Sequence, residues 1–133
     1  MRHVQAARRA ILSRSAHIQD IPLRLDVSVA HRQGRLAALD FRLINHAPIG
    51  TDAFEVDDAF SRDGSYDMSG IVVLDRHAGN QLTTLPDPNT DTSMTQIGSG
   101  GSQNLRIAFP APSGKAVDVL VPHFGLFRDV PVR

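Results

Sequence analysis

The sequence contains no cysteine among its 133 residues. This absence excludes disulfide bridges and metal sites held by thiolates as sources of stability. A chain of this length buries roughly two-thirds of the surface that its unfolded form exposes, so a hydrophobic core is sufficient to hold it. No charge block or low-complexity spacer divides the chain, and the sequence therefore predicts one main domain.

Long apolar runs are also absent. No segment reaches the roughly eighteen apolar residues that a transmembrane helix needs, so no transmembrane segment is predicted. The chain begins with several basic residues, but Arg8 and Arg9 interrupt the apolar stretch, which therefore does not form a secretory signal. We expect either a cytoplasmic protein or one whose targeting segment lies outside this sequence.

Neither sign of charge is in excess, because fourteen Lys and Arg balance fourteen Asp and Glu. A neutral chain produces no overall field that attracts nucleic acid or an anionic membrane, so nucleic acid is not an expected partner. The distribution is nevertheless uneven. Residues 1–50 hold eight arginines and three aspartates, whereas residues 51–75 hold seven acids and one arginine, Arg62. We therefore expect the folded molecule to have one acidic end.

The N-terminal residues carry an apolar stripe at the spacing of an amphipathic helix. The pattern predicts a short helix in an extension, residues 1–20, that precedes the main domain at 21–133. We interpret it as a terminal helix that is frayed or docked on the domain, and a basic helix that meets a membrane or a partner is the alternative. The residues of the stripe are Val4, Ala7, Ile11 and Ile18.

From Ile21 onward, apolar and polar residues alternate, as is typical of antiparallel strands with one buried face. Residues 21–29 and 36–44 predict a first hairpin, and further strand-length runs follow between turn residues. Pro110 and Pro112 favour an extended crossing between two sheets over a tight turn. Seven to eight short strands, with no helix after residue 20, predict an all-β fold, an antiparallel β-sandwich of immunoglobulin-like type.

The alternation also predicts the core, and two stretches are less regular. Residues 51–61 read as an irregular strand with acids on its exposed side. The polar stretch 87–102 is expected to hold a short strand within 92–97. The side chains predicted to be buried are Leu25, Val27, Leu39, Phe41, Leu43, Val72, Leu74, Ile107, Phe109, Val119 and Val121.

The C-terminal residues carry a more specific pattern. Phe109-Pro-Ala-Pro precedes Val117-Asp-Val-Leu-Val-Pro-His-Phe-Gly, and Phe127-Arg-Asp-Val-Pro-Val follows. These motifs resemble the C-terminal half of immunoglobulin-like domains in secreted and envelope proteins of actinobacteria, some of which lie beside OmpA-like wall-binding modules. Upstream, Val72-Val-Leu-Asp with the glycine turn at Gly79 is similar to the central hairpin of the same family.

The resemblance implies an extracytoplasmic β-sandwich, secreted or in the cell envelope, that contacts a protein or cell-envelope partner. It implies a binding or spacer module and brings no catalytic residues. The cysteine-bearing loop that some relatives carry after the central hairpin is missing here. Two alternatives remain open: a cytoplasmic assembly or regulatory subunit that docks through the basic helix at 2–14, and a small-ligand carrier with a pocket between its sheets.

A cluster of acidic residues is the most distinctive chemical feature of the chain. Calcium takes about six to eight oxygen ligands, and carboxylates near a flexible Gly64 can supply several of them. The spacing does not match an EF-hand loop, so solvated loop charge is the favoured interpretation and a calcium site is the alternative. No other cofactor is expected. The candidate calcium ligands are Asp57, Asp58, Asp63 and Asp67.

Other catalytic and metal-binding patterns are lacking. No two of the six histidines are three or four positions apart, so isolated surface histidines are expected rather than a zinc site. The Gly-Ser-Gly-Gly-Ser segment at 98–102 is neither a nucleophile elbow nor a phosphate-binding loop. The sequence therefore predicts a protein that is not an enzyme.

Apolar residues stop alternating near the end of the chain. One interpretation is that Phe124 or Phe127 closes the bottom of the core. The other is that they form, with Leu120 and Leu126, an exposed patch that binds a partner. Edge strands offer a further route to binding, because their unpaired backbone groups can accept the strand of another chain.

Overall fold

The computed structural model describes residues 12–51, 53–60, 70–86 and 96–133. Apart from one four-residue helix, the regular elements of this described part are strands, so the predicted all-β class is confirmed. In chain order the elements are β1 (Leu12–Ile18), β2 (Ile21–Val27), β3 (His31–Gln33), β4 (Leu36–Asn45), β5 (Phe54–Glu55), α1 (Asp57–Phe60), β6 (Val72–Asp75), β7 (Asn80–Leu82), β8 (Leu85–Pro86), β9 (Gln96–Ile97), β10 (Ser102–Pro110), β11 (Ala116–Val121) and β12 (Gly125–Pro131).

Six strands form the large sheet, in the order β1-β2-β4-β10-β8, with β3 also paired to β4. All of its pairs are antiparallel. The first predicted hairpin is confirmed, with Leu25 opposite Leu43 and Val27 opposite Phe41. After Val27 the first strand of the hairpin continues as β3, which pairs with the other half of β4, and Gly34 and Arg35 form the turn.

Four strands form the small sheet, in the order β12-β11-β6-β7, and β5 pairs with β9 as a separate two-stranded unit. The segment 111–115 leads from β10 in the large sheet to β11 in the small sheet, so the predicted proline-rich crossing is confirmed. Residues 80–86 are divided between the sheets, because β7 ends at Leu82 and β8 begins at Leu85.

A short parallel contact joins the two sheets at one margin. Ala30 donates its N–H to the carbonyl of Pro131 (2.9 Å) and accepts a hydrogen bond from Arg133 (2.9 Å). Arg32 donates to the carbonyl of Arg133 (2.6 Å). Within the small sheet, Val132 donates to the carbonyl of Lys115 (2.8 Å), which extends the pairing of β11 and β12. The sheets also share a single core cluster, whose largest fully buried side chains include Phe41, Phe54, Phe60, Phe109 and Phe127.

The predicted core is confirmed except in β6. Val72 and Leu74 are only half-buried, whereas Ile71, Val73 and Asp75 face the core and are at most 2% exposed. Four consecutive apolar residues give no alternation from which to read the inward side. A rule based on polarity would place Asp75 on the exposed side of β6. Because Asp75 is buried instead, Ile71 and Val73 are the inward-facing residues, and Val72 and Leu74 are not.

The helix predicted near the N-terminus is wrong for residues 12–18, which form β1, while residues 1–11 lie outside the described residues. Leu12, Ala16 and Ile18 alternate with serines and a histidine, a period of two that suits a strand. Pairing along the whole length of β2 satisfies backbone groups on one side of this segment. The alternative interpretation was a basic helix at 2–14 that docks on a partner. Residues 12–14 of that segment are not helical, because they belong to β1.

Candidate functional site

The candidate calcium ligands are only partly described. Asp57 and Asp58 begin α1, the one helix in the described residues, whose position after residue 20 was not expected. Asp63 and Asp67 lie outside the described residues. The carboxylate of Asp58 accepts a hydrogen bond from the side-chain amide of Gln19 (3.2 Å). Among the side chains that the structure describes, no group of three or more His, Asp or Glu is placed to hold a metal.

The two phenylalanines predicted near the chain end belong to the core. Phe124 is 5% exposed in the turn between β11 and β12, and Phe127 is fully buried on β12. The guanidinium of Arg14 lies 4.6 Å from the centre of the Phe127 ring, and its Nη1 donates to the carbonyl of Phe124 (3.2 Å). Arg14 thus covers the margin where β1 and β12 come together.

Leu120 and Leu126 lie on the outer face of the small sheet. β11 turns Val117, Val119 and Val121 inward, which leaves Leu120 outward and 42% exposed. Leu120 is opposite Leu126 on one side and opposite Val72 on the other. Directly opposite residues on one face lie about 5 Å apart. The three side chains therefore form one apolar row across three strands, which we call the apolar row.

A polar pair limits this face at one end. Asp118 also belongs to β11 and accepts hydrogen bonds from Arg76 (3.2 Å) and from the backbone N–H of Asp129 (2.9 Å). A bulge in β12 between the partners of Val117 and Val119 brings Asp129 to this position, with a φ of 55°. The apolar row is thus flanked at one end by the ion pair of Arg76 and Asp118.

The outer face of the large sheet has the opposite character. Arg24 pairs with Asp26 (3.0 Å), and Arg106 pairs with Asp40 (2.7 Å). These pairs line a groove of about 750 Å³ together with further Ser, Asn and Arg side chains. The groove is therefore lined mainly by charged and hydrogen-bonding side chains. The outer face of the small sheet, by contrast, carries the apolar row.

Polar groups at the far end of β6 have a structural role. Asp75 accepts hydrogen bonds from the N–H groups of Ala78 (3.2 Å) and Ser113 (3.2 Å) and from the Ser113 hydroxyl (3.3 Å). Burial alone would raise the pKa of Asp75, but the hydrogen bonds that it accepts outweigh this effect and lower the pKa below its ordinary value. The carboxylate thus ties the crossing segment to the β6–β7 turn.

The glycine-rich segment at 98–102 likewise forms a turn. Asn45 is fully buried, and its side chain donates to the carbonyl of Ile97 (2.9 Å) and accepts from the N–H of Ala47 (2.8 Å). The hydroxyl of Ser99 donates to the carbonyl of Pro48 (2.8 Å). These bonds connect the loop that follows β4 to the loop that precedes β10. Sequence reasoning missed Asn45, since a buried Asn at a strand end has no distinguishing pattern.

Comparison with known proteins gives no assignment. No protein-family model matches the chain, and neither the curated proteins nor the solved structures contain a significant match. Within the described residues, no helix is long and apolar enough to cross a membrane.

Proposed function

We propose that the chain is an immunoglobulin-like β-sandwich module that binds a protein or cell-envelope partner and catalyses no reaction. The order of hydrogen-bonded strands supports the fold in this proposal. Immunoglobulin domains have one sheet in the order A-B-E-D and a second sheet of C, F and G, with C′ added in variable-type domains. Taking β2 with β3 as A, β4 as B, β6 as C, β7 as C′, β8 as D, β10 as E, β11 as F and β12 as G reproduces both orders.

The sequence departs from antibody domains in the centre of the core. It has neither the disulfide nor the tryptophan that pack between the sheets of those domains. Buried phenylalanines occupy the core instead. β1 is an additional strand outside strand A.

The apolar row is the observation that supports a binding function. Leu120 lies at its centre, between half-buried neighbours on both adjacent strands. The fully buried centre of a protein interface is more apolar than the rest of the surface, and charged residues are depleted there. We therefore assign the partner-contacting surface to the outer face of the small sheet, and we propose a partner with a complementary apolar surface.

Leu120→Glu tests this assignment, with Leu85→Glu as the matched control. The two leucines are 42% and 41% exposed, but Leu85 lies on β8 at the edge of the other sheet. The immobilised chain is incubated with extract of the cells that produce it, and retained proteins are quantified. We expect the Leu120→Glu variant to bind its partner about tenfold more weakly or worse, because a charge at the centre of an apolar contact costs over 1 kcal/mol.

The Leu85→Glu variant should retain the same proteins as the unmodified chain. Thermal melting of both variants shows whether the fold is intact. Equal retention by the Leu120→Glu variant and the unmodified chain would contradict the assignment of the docking face.

The location outside the cytoplasm is proposed from the resemblance described above. Immunodetection in fractionated cells tests it directly. We expect the protein in the medium or the envelope fraction, and recovery with cytosolic enzymes would count against this part of the proposal.

A further inference from the structure

Three connections between strands meet at the end of the molecule where β3 turns into β4. They are the β3–β4 turn, the β6–β7 turn and the crossing segment 111–115. Ala111 donates its N–H to the carbonyl of Arg35 in the first turn (2.9 Å). Gly114 lies against His77 in the second turn, since a Cβ on Gly114 would be 3.1 Å from the Cβ of His77. The crossing segment therefore holds the two turns side by side.

Basic side chains from each of these connections are exposed at this end. Arg35 belongs to the β3–β4 turn, Arg76 to the β6–β7 turn and Lys115 to the crossing segment, and Arg32 lies beside them on β3. Because these cations come from separate parts of the chain, they form no basic motif in the sequence. We call Arg32, Arg35, Arg76 and Lys115 the basic end.

The position of Arg32 is fixed without loss of its charge. Its guanidinium donates to the carbonyls of Pro112 (2.9 Å) and Gly114 (2.6 Å). These acceptors are uncharged, so they hold the side chain against the crossing segment and leave it cationic. A guanidinium has further N–H groups, which can donate to a ligand.

Carboxylates compensate only part of this charge. Asp118 pairs with Arg76 (3.2 Å), and the buried Asp75 accepts hydrogen bonds from the β6–β7 turn and the crossing segment. Asp129 is an exposed carboxylate beside Arg76 and Lys115. In the described part of the chain, no salt bridge joins a carboxylate to the other three cations of the basic end. An excess of positive charge therefore remains at this surface.

The opposite end of the molecule carries negative charge. Its exposed acids include Asp20 in the β1–β2 turn, Glu55 on β5 and Asp58 on α1. The described segments that connect strands there contain no lysine or arginine: 19–20, 46–51, 98–101 and 122–124. A negatively charged plane would attract the basic end and repel the acidic one, which orients the molecule end-on.

We infer that the basic end docks on the surface of an anionic phospholipid bilayer. Groups of about four or more Lys and Arg residues close to a membrane bind its anionic headgroups, and each residue contributes about fivefold in affinity. Guanidinium groups also bind phosphate through two parallel hydrogen bonds. Arg76 and Lys115 line a recess of about 400 Å³ that can admit a headgroup phosphate. The acidic end then points away from the bilayer.

Nucleic acid is also a polyanion, but the basic end does not have the groups that bind it. Proteins that bind single strands stack the bases on aromatic side chains. All six phenylalanines of this chain are buried, it has no tryptophan, and its one tyrosine, Tyr66, lies outside the described residues. The one described helix, α1, lies at the acidic end, so it cannot enter a major groove from the basic end. The charge therefore suits a plane of phosphates better than a strand of bases.

Co-sedimentation with vesicles tests the docking. The unmodified chain is mixed at low ionic strength with vesicles of phosphatidylcholine and phosphatidylglycerol in equal parts, and separately with vesicles of phosphatidylcholine alone. We expect binding to the anionic vesicles only, and release when salt is added, because salt screens exposed charges. Equal binding to the two kinds of vesicle, or binding to neither, would overturn the inference.

Arg35→Gln and Lys115→Gln should each weaken binding to the anionic vesicles by about fivefold. Arg42→Gln is the matched control, because it removes the same charge from an exposed arginine of β4 that lies roughly 20 Å along the strand from Arg35. The control should bind as the unmodified chain does, and thermal melting shows whether each variant is folded. A loss as large for Arg42→Gln as for Arg35→Gln would contradict docking through the basic end.

Asp129→Asn tests the sign of the effect. The substitution removes the exposed carboxylate beside Arg76 and Lys115, and asparagine tolerates the positive φ of this position, 55°. We expect this variant to bind the anionic vesicles more tightly than the unmodified chain. Unchanged or weaker binding would mean that the charge around this recess does not face the bilayer, and the assigned surface would be wrong.

Two competitors separate the bilayer from other sources of phosphate. Inorganic phosphate and duplex DNA, each at the same phosphate concentration as the vesicles, should not displace the chain, because neither presents a plane of charge to the whole basic end. Displacement by inorganic phosphate would indicate a site for a single phosphate group, and displacement by DNA would indicate a surface that binds nucleic acid. Either result would refute membrane docking.

Discussion

Asp75 is the residue at which polarity and position disagree. Its carboxylate faces the core at 2% exposure, yet three donors around it replace the water that it has lost. A buried carboxylate is tolerated only when its oxygens are hydrogen-bonded in this way. The same bonds fix the inward direction of β6 and hold the crossing segment in place.

The lowered pKa of Asp75 predicts a pH dependence of stability. A carboxyl group whose folded pKa lies below its unfolded value, about 3.9 for aspartate, stabilises the fold above that unfolded value. The stabilisation is lost as the pH falls through the folded pKa. We expect Asp75→Asn to lower the urea midpoint at pH 7, and the difference from the unmodified chain to shrink below about pH 4. A difference that stays constant from pH 7 to pH 2 would show that the charge of Asp75 contributes nothing.

At the scale of single elements, β6 shows why two adjacent valines are not equivalent. Val73 is fully buried, and Val72 is half-buried in the apolar row. Val73→Ala should lower the free energy of unfolding by about 2 kcal/mol, because two buried methyl groups are lost and a cavity remains. Val72→Ala should cost less than half as much. A larger loss for Val72→Ala than for Val73→Ala in chemical denaturation would mean that the parity of β6 is the one expected from sequence, and equal losses would contradict the difference in burial.

The elements also show how far the sequence could be interpreted. The alternation of apolar and polar residues identified β2, β4, β10 and β11 and their buried sides. Each of these strands has one face in the core and one face exposed to solvent. β1 was missed because seven residues can fit a loose helical stripe as well as a period of two. The apolar row could not be predicted either. It depends on the register between three strands and on the bulge in β12, and neither is encoded in the residues of any one strand.

At the scale of the whole molecule, the two sheets differ in what they expose. The large sheet carries paired charges outward, and the small sheet carries the apolar row. The margin at Ala30 and Val132 connects them through backbone hydrogen bonds between residues distant in sequence. The stability of the molecule should therefore be sensitive to a contact that involves very few residues.

Removing Val132 and Arg133 tests that sensitivity. The truncation deletes three hydrogen bonds, to Ala30, Arg32 and Lys115, and one nearly buried valine. We expect the free energy of unfolding to fall by about 3 kcal/mol, which sums modest net contributions from the hydrogen bonds and the lost burial. Adding two residues after the exposed Arg133 is the control and should change little. A truncated chain with an unaltered denaturant midpoint would mean that this contact does not hold the sheets together.

This contact also sets the order of events during synthesis. Ala30 and Pro131 are roughly one hundred positions apart, and closing so long a loop is a slow step in folding. The hairpin of β2 and β4 can form while most of the chain is still on the ribosome. The margin that unites the sheets can close only after β12 has emerged, so we expect it to form later than this hairpin.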